Sequence, residues 1–316
     1  MKLLVTGADG FVGGWLARRL LADGHGVVGT HRRGGGPSPV LAPVEAGRIE
    51  WRELELGSGE SVERICRDRW DAIVHLAALS SGSEARRDPG LAWEVNAAGT
   101  ARLTEALGLR VAARQGDPLF LLVSTGEVYG AGHGTPHRET EAALPCSPYA
   151  GSKLGAEIAA LECARRAGLR VIIARPFPHT GPGQDIRFVV PALASRIQAA
   201  KRIGAGTIKA GRLDMVRDLL DVRDVAEAYV ALLTRGVAGE VYNIASGEGH
   251  ALSEVLQRLE RLARWKVRPE LDERLARRSD LSHLVGNAEK LRRETGWQPR
   301  LPLDQTLEDM LRAQAD

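Results

Sequence analysis

Tyr149 and Lys153 close the run Tyr149-Ala150-Gly151-Ser152-Lys153, and a helix through it brings the phenol and the amine to one face. A free phenol titrates at about 10, too high for acid–base work near neutrality. A neighbouring ammonium favours the phenolate, and each unit of lowering corresponds to about 1.4 kcal/mol. Such a pair can give a proton to a carbinol oxygen, or take one from it, while hydride moves at the adjacent carbon. Thr125 follows an apolar β run and supplies a hydroxyl to hold that oxygen. A Tyr-x-x-x-Lys spacing also occurs on solvated helices, so its weight comes from what stands around it.

The hydride needs a carrier, and the N-terminus is built to hold one. The apolar run Lys2-Leu3-Leu4-Val5-Thr6 leads into Gly7, Gly10 and Gly13. Gly7 permits a tight strand-to-helix turn, Gly10 lets the backbone approach a pyrophosphate, and Gly13 allows close helix–strand packing. The helix that follows, through residue 22, offers unpaired N–H groups and a positive dipole end to the phosphates. This spacing predicts a dinucleotide site, and an oxidised nicotinamide there adds to the pull on the phenol. The second strand ends Gly29-Thr30-His31-Arg32-Arg33. An acid about 20 positions past the glycines would hold a ribose 2′-hydroxyl, and none is present. Arg32 and Arg33 suit a 2′-phosphate, which a carboxylate would repel. NADP(H) is therefore expected over NAD, the alternative being that both arginines are solvated loop residues.

Apolar β runs at 2–6, 26–30, 49–53, 72–76, 119–124 and 170–174 alternate with helical patterns at 61–68, 96–107 and 148–167. That alternation predicts an α/β fold with a Rossmann-type, doubly wound parallel sheet. The stretch 32–43, with Gly34-Gly35-Gly36 and three prolines, reads as an exposed loop. The rhythm changes near Pro176, which predicts a smaller, discontinuous α/β substrate domain. The dinucleotide-binding domain is expected at 1–175 plus about 214–236, and the second at about 176–213 and 237–316.

The chain of 316 residues carries a net charge of +3, with bases scattered among acids, which excludes the basic face that nucleic-acid binding needs. Cys66, Cys146 and Cys163 are widely spaced, pointing to buried or inert thiols in a reducing cytosol and to no metal site. The first strand begins at Lys2, so no leader is expected, and apolar runs near eight residues are too short for a bilayer. A cytoplasmic protein is expected.

These residues resemble the extended short-chain dehydrogenase/reductase family over nearly the whole chain. The likeness is carried by the glycines, Tyr149 and Lys153, by His75-Leu76-Ala77-Ala78, and by Asn96-Ala97-Ala98-Gly99-Thr100. Within the family the nucleotide-sugar branch is matched, and more narrowly the GDP-4-keto-6-deoxy-D-mannose reductases. The segments concerned are 175–184, 216–224, 241–247 and 295–299. The resemblance implies cofactor contacts from Gly7, Gly10, Phe11, Val12 and Gly13 at the phosphates, and from His31, Arg32, Arg33, Glu55 and Leu56 toward the adenosine. It implies further contacts from Leu76, Ala77 and Ala78 beneath the cofactor, and from Tyr149, Lys153, Pro176 and His179 toward the nicotinamide. Asn96 would brace the site, a role that a helix N-cap would share. Substrate contacts are implied at Ser81, Thr125, Glu127 and Val189, with Arg217 and Arg277 gripping a diphosphate. Family members also pair the helices at 96–107 and 148–167 into a homodimeric bundle. Pro178 stands where the family has asparagine, so a donor expected there must come from another residue.

The chemistry expected first is NADPH-dependent reduction of the C4 keto group of a nucleotide-linked 4-keto-6-deoxy sugar, GDP-4-keto-6-deoxy-D-mannose to GDP-D-rhamnose. Related 4,6-dehydratases use a glutamate two positions after the threonine, here Glu127, and many place the dehydrating acid just before it. Gly126 cannot be that acid. A GDP-mannose 4,6-dehydratase, a 4-epimerase holding NAD, and a non-catalytic NADP-binding regulator remain as alternatives.

Overall fold

The computed structural model describes residues 1–132, 134–275 and 281–314. Seven parallel strands form one sheet: β1 (Lys2–Thr6), β2 (Gly26–His31), β3 (Glu50–Glu53), β4 (Ala72–His75), β5 (Leu119–Val123), β6 (Arg170–Pro176) and β7 (Val241–Ile244). Their spatial order is β7-β6-β5-β4-β1-β2-β3. The order reverses between β1 and β4, and sheets of this kind bind ligands at the strand C-termini of such a switch point. Period-two alternation fills both faces. Leu3 and Val5 of β1, with Leu119, Leu121 and Val123 of β5, enter one core layer, while Leu4, Phe120 and Leu122 enter the other.

Helices Phe11–Ala22 and Val222–Arg235 cover the first face, and Gly59–Cys66, Gly99–Ala112 and Pro148–Ala167 cover the second. The last of these has clear stop signals. The Ser147 hydroxyl accepts the Ala150 N–H at 3.1 Å, Pro148 follows the cap, and Gly168 ends the helix at φ 77°. Ser147 thereby places Tyr149 in the first turn and Lys153 one turn on. A third core, built on helices Val189–Ile203, Leu252–Ala263 and Leu303–Ala313, forms a smaller lobe over the strand C-termini. No described helix is long and apolar enough to cross a membrane.

The structure adds detail to three of these expectations. Val241–Ile244 pairs with β6 as an edge strand of the main sheet, so the segment after 237 opens in the first unit; the short strands Val216–Asp218 and Leu220–Asp221 lie in separate small sheets. The loop expected at 32–43 is exposed in the main, yet Ser38 is buried and its hydroxyl donates to Gly10 O at 3.0 Å, pinning the loop across the glycine turn. Asn96 lies inside a π-helical turn, Glu94–Ala98, rather than at a helix N-cap. Its fixed role comes from side-chain bonds instead.

Candidate active site

A cleft of about 1480 Å³ opens along the strand C-termini between the two lobes. Single small-molecule sites run to roughly 300–1,000 Å³, so this one has room for two ligands. At its floor Gly7 adopts φ 70°, and a Cβ there would lie 2.8 Å from Ala77 N. A Cβ on Gly13 would lie 2.2 Å from Gly7 O. The helix beginning at Phe11 has Gly10 as its N-cap and no side-chain cap, which leaves its first amides to a ligand. Thr30 Oγ1 accepts the Gly7 N–H at 3.1 Å and holds the turn to β2. The cradle therefore fits a pyrophosphate.

Phe11, Val12, His31, Arg32, Glu55 and Leu56 line the same cleft on the β2 and β3 side. Arg32 and Arg33 are both exposed, and of the two only Arg32 lines the cleft. Leu76, Ala77, Ala78, Pro176 and His179 line the other half. Beneath them His75 is wedged between two hydroxyls. Thr100 Oγ1 donates to Asn96 O at 2.6 Å, and so accepts from His75 Nε2 at 3.1 Å. His75 Nδ1 then accepts from Thr6 Oγ1 at 2.8 Å, and that oxygen accepts the Ala77 N–H. Burial, with Lys153 nearby, lowers the imidazole to about 3, so it is a neutral strut. Asn96 likewise does not line the cleft. Its amide donates to Leu79 O and Ser152 Oγ and accepts from Leu79 N, tying the loop after β4 to the helix that carries Tyr149.

Thr125, Tyr149 and Lys153 converge at the end of β5. The Thr125 hydroxyl faces the Tyr149 phenol closely enough to act on its proton affinity. Thr125 also accepts the Glu127 N–H at 3.2 Å and so caps the short turn Gly126–Tyr129. Burial raises the Tyr149 phenol, the Glu127 carboxylate raises it further, and the Thr125 bond opposes them. The phenol therefore stands above its ordinary value in the ligand-free protein, because burial is the largest effect on it. The expectation from the amine and an oxidised nicotinamide is a lowered one. Lys153, 4% exposed, is itself lowered to about 8 by burial, against the pull of Glu157. Glu157 is paired with Arg175 through bonds of 3.0 and 2.7 Å and accepts from Ser124 Oγ. The buried ion pair thus clamps the residue before Thr125 to the Tyr149 helix.

Gly126 sits against Phe177, where an added Cβ would lie 2.9 Å from the ring. Glu127, Ser81, Val189 and Arg217 line the cleft, whereas Arg277 falls outside the described residues. Sequence reasoning missed Arg86, Arg87, Arg187, Arg212 and Tyr229, all of which line it. Arg86 and Arg87 stand just after Ser80-Ser81-Gly82, a polar turn following a strand, which was the available signal. Arg187 donates to Glu84 at 2.6 Å and so bridges the cleft from one lobe to the other. Of the thiols expected to be buried or inert, Cys66 and Cys163 are buried, while Cys146 is exposed and lines the cleft. Among the described residues no cluster could hold a metal.

Residues 4–310 match the family described as GDP-mannose 4,6 dehydratase. The chain is 35% identical to the GDP-6-deoxy-D-mannose reductase of Pseudomonas aeruginosa over 98% of its own length and 96% of that protein's. It superposes on the structure of RMD from Pseudomonas aeruginosa complexed with NADPH with a TM-score of 0.83 at 32% identity, covering 99% of both chains. A putative epimerase from Burkholderia cenocepacia J2315 matches at TM-score 0.86 and 36% identity, covering 99% of this chain and 97% of that one.

Proposed function

The chain belongs to the GDP-mannose 4,6-dehydratase family within the extended short-chain dehydrogenases/reductases, and we propose that it is an NADPH-dependent reductase of C4 in GDP-4-keto-6-deoxy-D-mannose, giving GDP-D-rhamnose. The observation that carries this reading is the Thr125–Tyr149 pair with Lys153 one turn away, beside a Gly126 position that has no room for a dehydrating acid. The relatives support the GDP-linked substrate: besides the reductase, a GDP-6-deoxy-D-talose 4-dehydrogenase of Aggregatibacter actinomycetemcomitans is 29% identical over 92% of this chain and 90% of its own length. Arg32 at the adenosine end, with no acid at the end of β2, supports NADP(H) over the NAD of an epimerase.

When bound, the reduced nicotinamide supplies the hydride that C4 accepts. Thr125 orients the C4 oxygen by a hydrogen bond. Tyr149, held protonated by burial and by Glu127, gives its proton to that oxygen as the C4–H bond forms. Lys153 stabilises the charge that builds on the phenolic oxygen and holds the nicotinamide ribose. Arg217, which lines the cleft, binds the substrate diphosphate.

We further propose a cytoplasmic homodimer built on helices Gly99–Ala112 and Pro148–Ala167. A shallow groove between them, lined by Ala101, Glu105, Gly155, Ile158 and Ala159, leaves Ile158 63% exposed.

The function is tested by following NADPH absorbance with a panel of GDP-, dTDP- and UDP-linked 4-keto-6-deoxy sugars. Consumption with the GDP-linked mannose derivative, and GDP-D-rhamnose as product, is the expected result. A 4-keto-6-deoxy product from GDP-mannose and NADP⁺, with no NADPH consumed on the keto sugar, would overturn it.

A further inference from the structure

Four buried side-chain polar atoms have no hydrogen-bond partner among the described residues: His137 Nε2, Tyr229 Oη, His283 Nδ1 and Gln314 Oε1. Of these residues only Tyr229 lines the cleft. Its ring is fully buried in the core that helix Val222–Arg235 makes with helix Phe11–Ala22 and the sheet. That helix begins at the cleft: Leu220–Asp221 pairs with His179–Thr180, and Val222 packs where a Gly181 Cβ would stand, close to Phe11. Helical side chains lean toward the helix N-terminus, so the phenol is directed up toward the strand C-termini. A buried hydroxyl left unpaired destabilises a fold, and such groups are nearly always satisfied in working proteins. Its partner must then be something that enters the cleft.

The cradle narrows what that is. With the pyrophosphate at the glycine turn and the 2′-phosphate toward Arg32, the nicotinamide falls at the β5 and β6 ends, among Tyr149, Pro176 and His179. Tyr229 couples electrostatically to Tyr149, and burial keeps it a neutral donor. Tyr149 reaches the site from the helical layer on one face of the sheet, and Tyr229 from the layer on the other. Thr125 and Tyr149 hold the substrate oxygen on their own side. The group that meets Tyr229 is therefore on the ring, and the ring has a single hydrogen-bonding substituent. We propose that Tyr229 Oη is the partner of the nicotinamide carboxamide and thereby orients the ring as a positioning residue.

The inference rests on the dinucleotide reading above, and its test separates the two. Calorimetry compares NADPH with 2′-phospho-ADP-ribose, which lacks the nicotinamide, on the wild type and on Tyr229→Phe. The variant is expected to bind NADPH roughly tenfold more weakly, the scale of one hydrogen bond, and 2′-phospho-ADP-ribose unchanged. Its ligand-free melting temperature should equal or exceed that of the wild type, because an unpaired hydroxyl has been removed. Equal NADPH affinity, an equal loss for both ligands, or a lower ligand-free melting temperature would each overturn the proposal. A wild type that binds neither ligand overturns the dinucleotide reading and this inference with it.

Discussion

Burial and the Glu127 carboxylate hold Tyr149 protonated at neutral pH, which suits a group that must give a proton away. Tyr149→Phe keeps the ring and removes the proton. Its turnover should fall by about 10²–10⁴-fold, the usual worth of general acid catalysis, with NADPH binding nearly intact by titration. Lys153→Met should lower both turnover and NADPH affinity, since the proposed role of the amine is to serve both the phenol and the ribose. Thr125→Val should cost less than either, because the role proposed for Thr125 is to orient the oxygen and not to donate the transferred proton. The amine also sets a pH dependence. With a value of about 8 in the folded protein, below its ordinary 10.5, Lys153 is charged under pH 8 and neutral above. A charged amine stabilises the phenolate as the proton leaves, so kcat for reduction should fall as pH rises through about 8. Residual turnover in Lys153→Met should lack that step.

At the scale of elements, the glycine turn and the Tyr149 helix are positioned by different forces. The turn depends on close backbone approach, with Gly13 against the Gly7 carbonyl and Gly7 against Ala77. Gly13→Ala puts a methyl where 2.2 Å is available, so the turn must open. Overpacking of this kind costs about 1–3 kcal/mol. Urea unfolding should show that loss, and NADPH titration a weaker fit. The Tyr149 helix is instead fixed by long-range polar ties. The Ser147 cap starts it, the Asn96–Ser152 bond holds it to the loop after β4, and the Glu157–Arg175 pair locks it to β6. These ties explain why Thr125 and Tyr149, on separate elements, stay in register.

For the whole molecule, the cleft is a property of two lobes meeting, and the Glu84–Arg187 pair spans it. The helical pair exposes Leu109 and Ile158, and Trp93 is exposed at the end of the adjoining helix Pro89–Trp93. If the homodimer forms there, Ile158→Asp buries a charge in an apolar contact. Light scattering should then read a dimer mass for the wild type and a monomer mass for the variant. A wild type whose mass stays monomeric at every concentration would refute the assembly.

Much of the site was legible in the chain because its signals are local. Three glycines at fixed spacing, an alternating strand, and a Tyr-x-x-x-Lys pair on one helical face are properties of a few consecutive residues. The strands read at 2–6, 26–30 and 119–124 lie within a residue of β1, β2 and β5 for the same reason. The rest depends on contacts between distant positions. The rise of the Tyr149 phenol comes from burial by surrounding elements. That Arg32 lines the cleft and Arg33 does not is a matter of how the chain after β2 folds. The return of residues 241–244 to the sheet edge is a pairing with β6 nearly seventy positions earlier. Tyr229 enters the cleft only because its helix packs on the face opposite Tyr149. Spacing along the chain encodes which groups can do chemistry; tertiary packing decides their solvation and their partners, and through these their proton affinity.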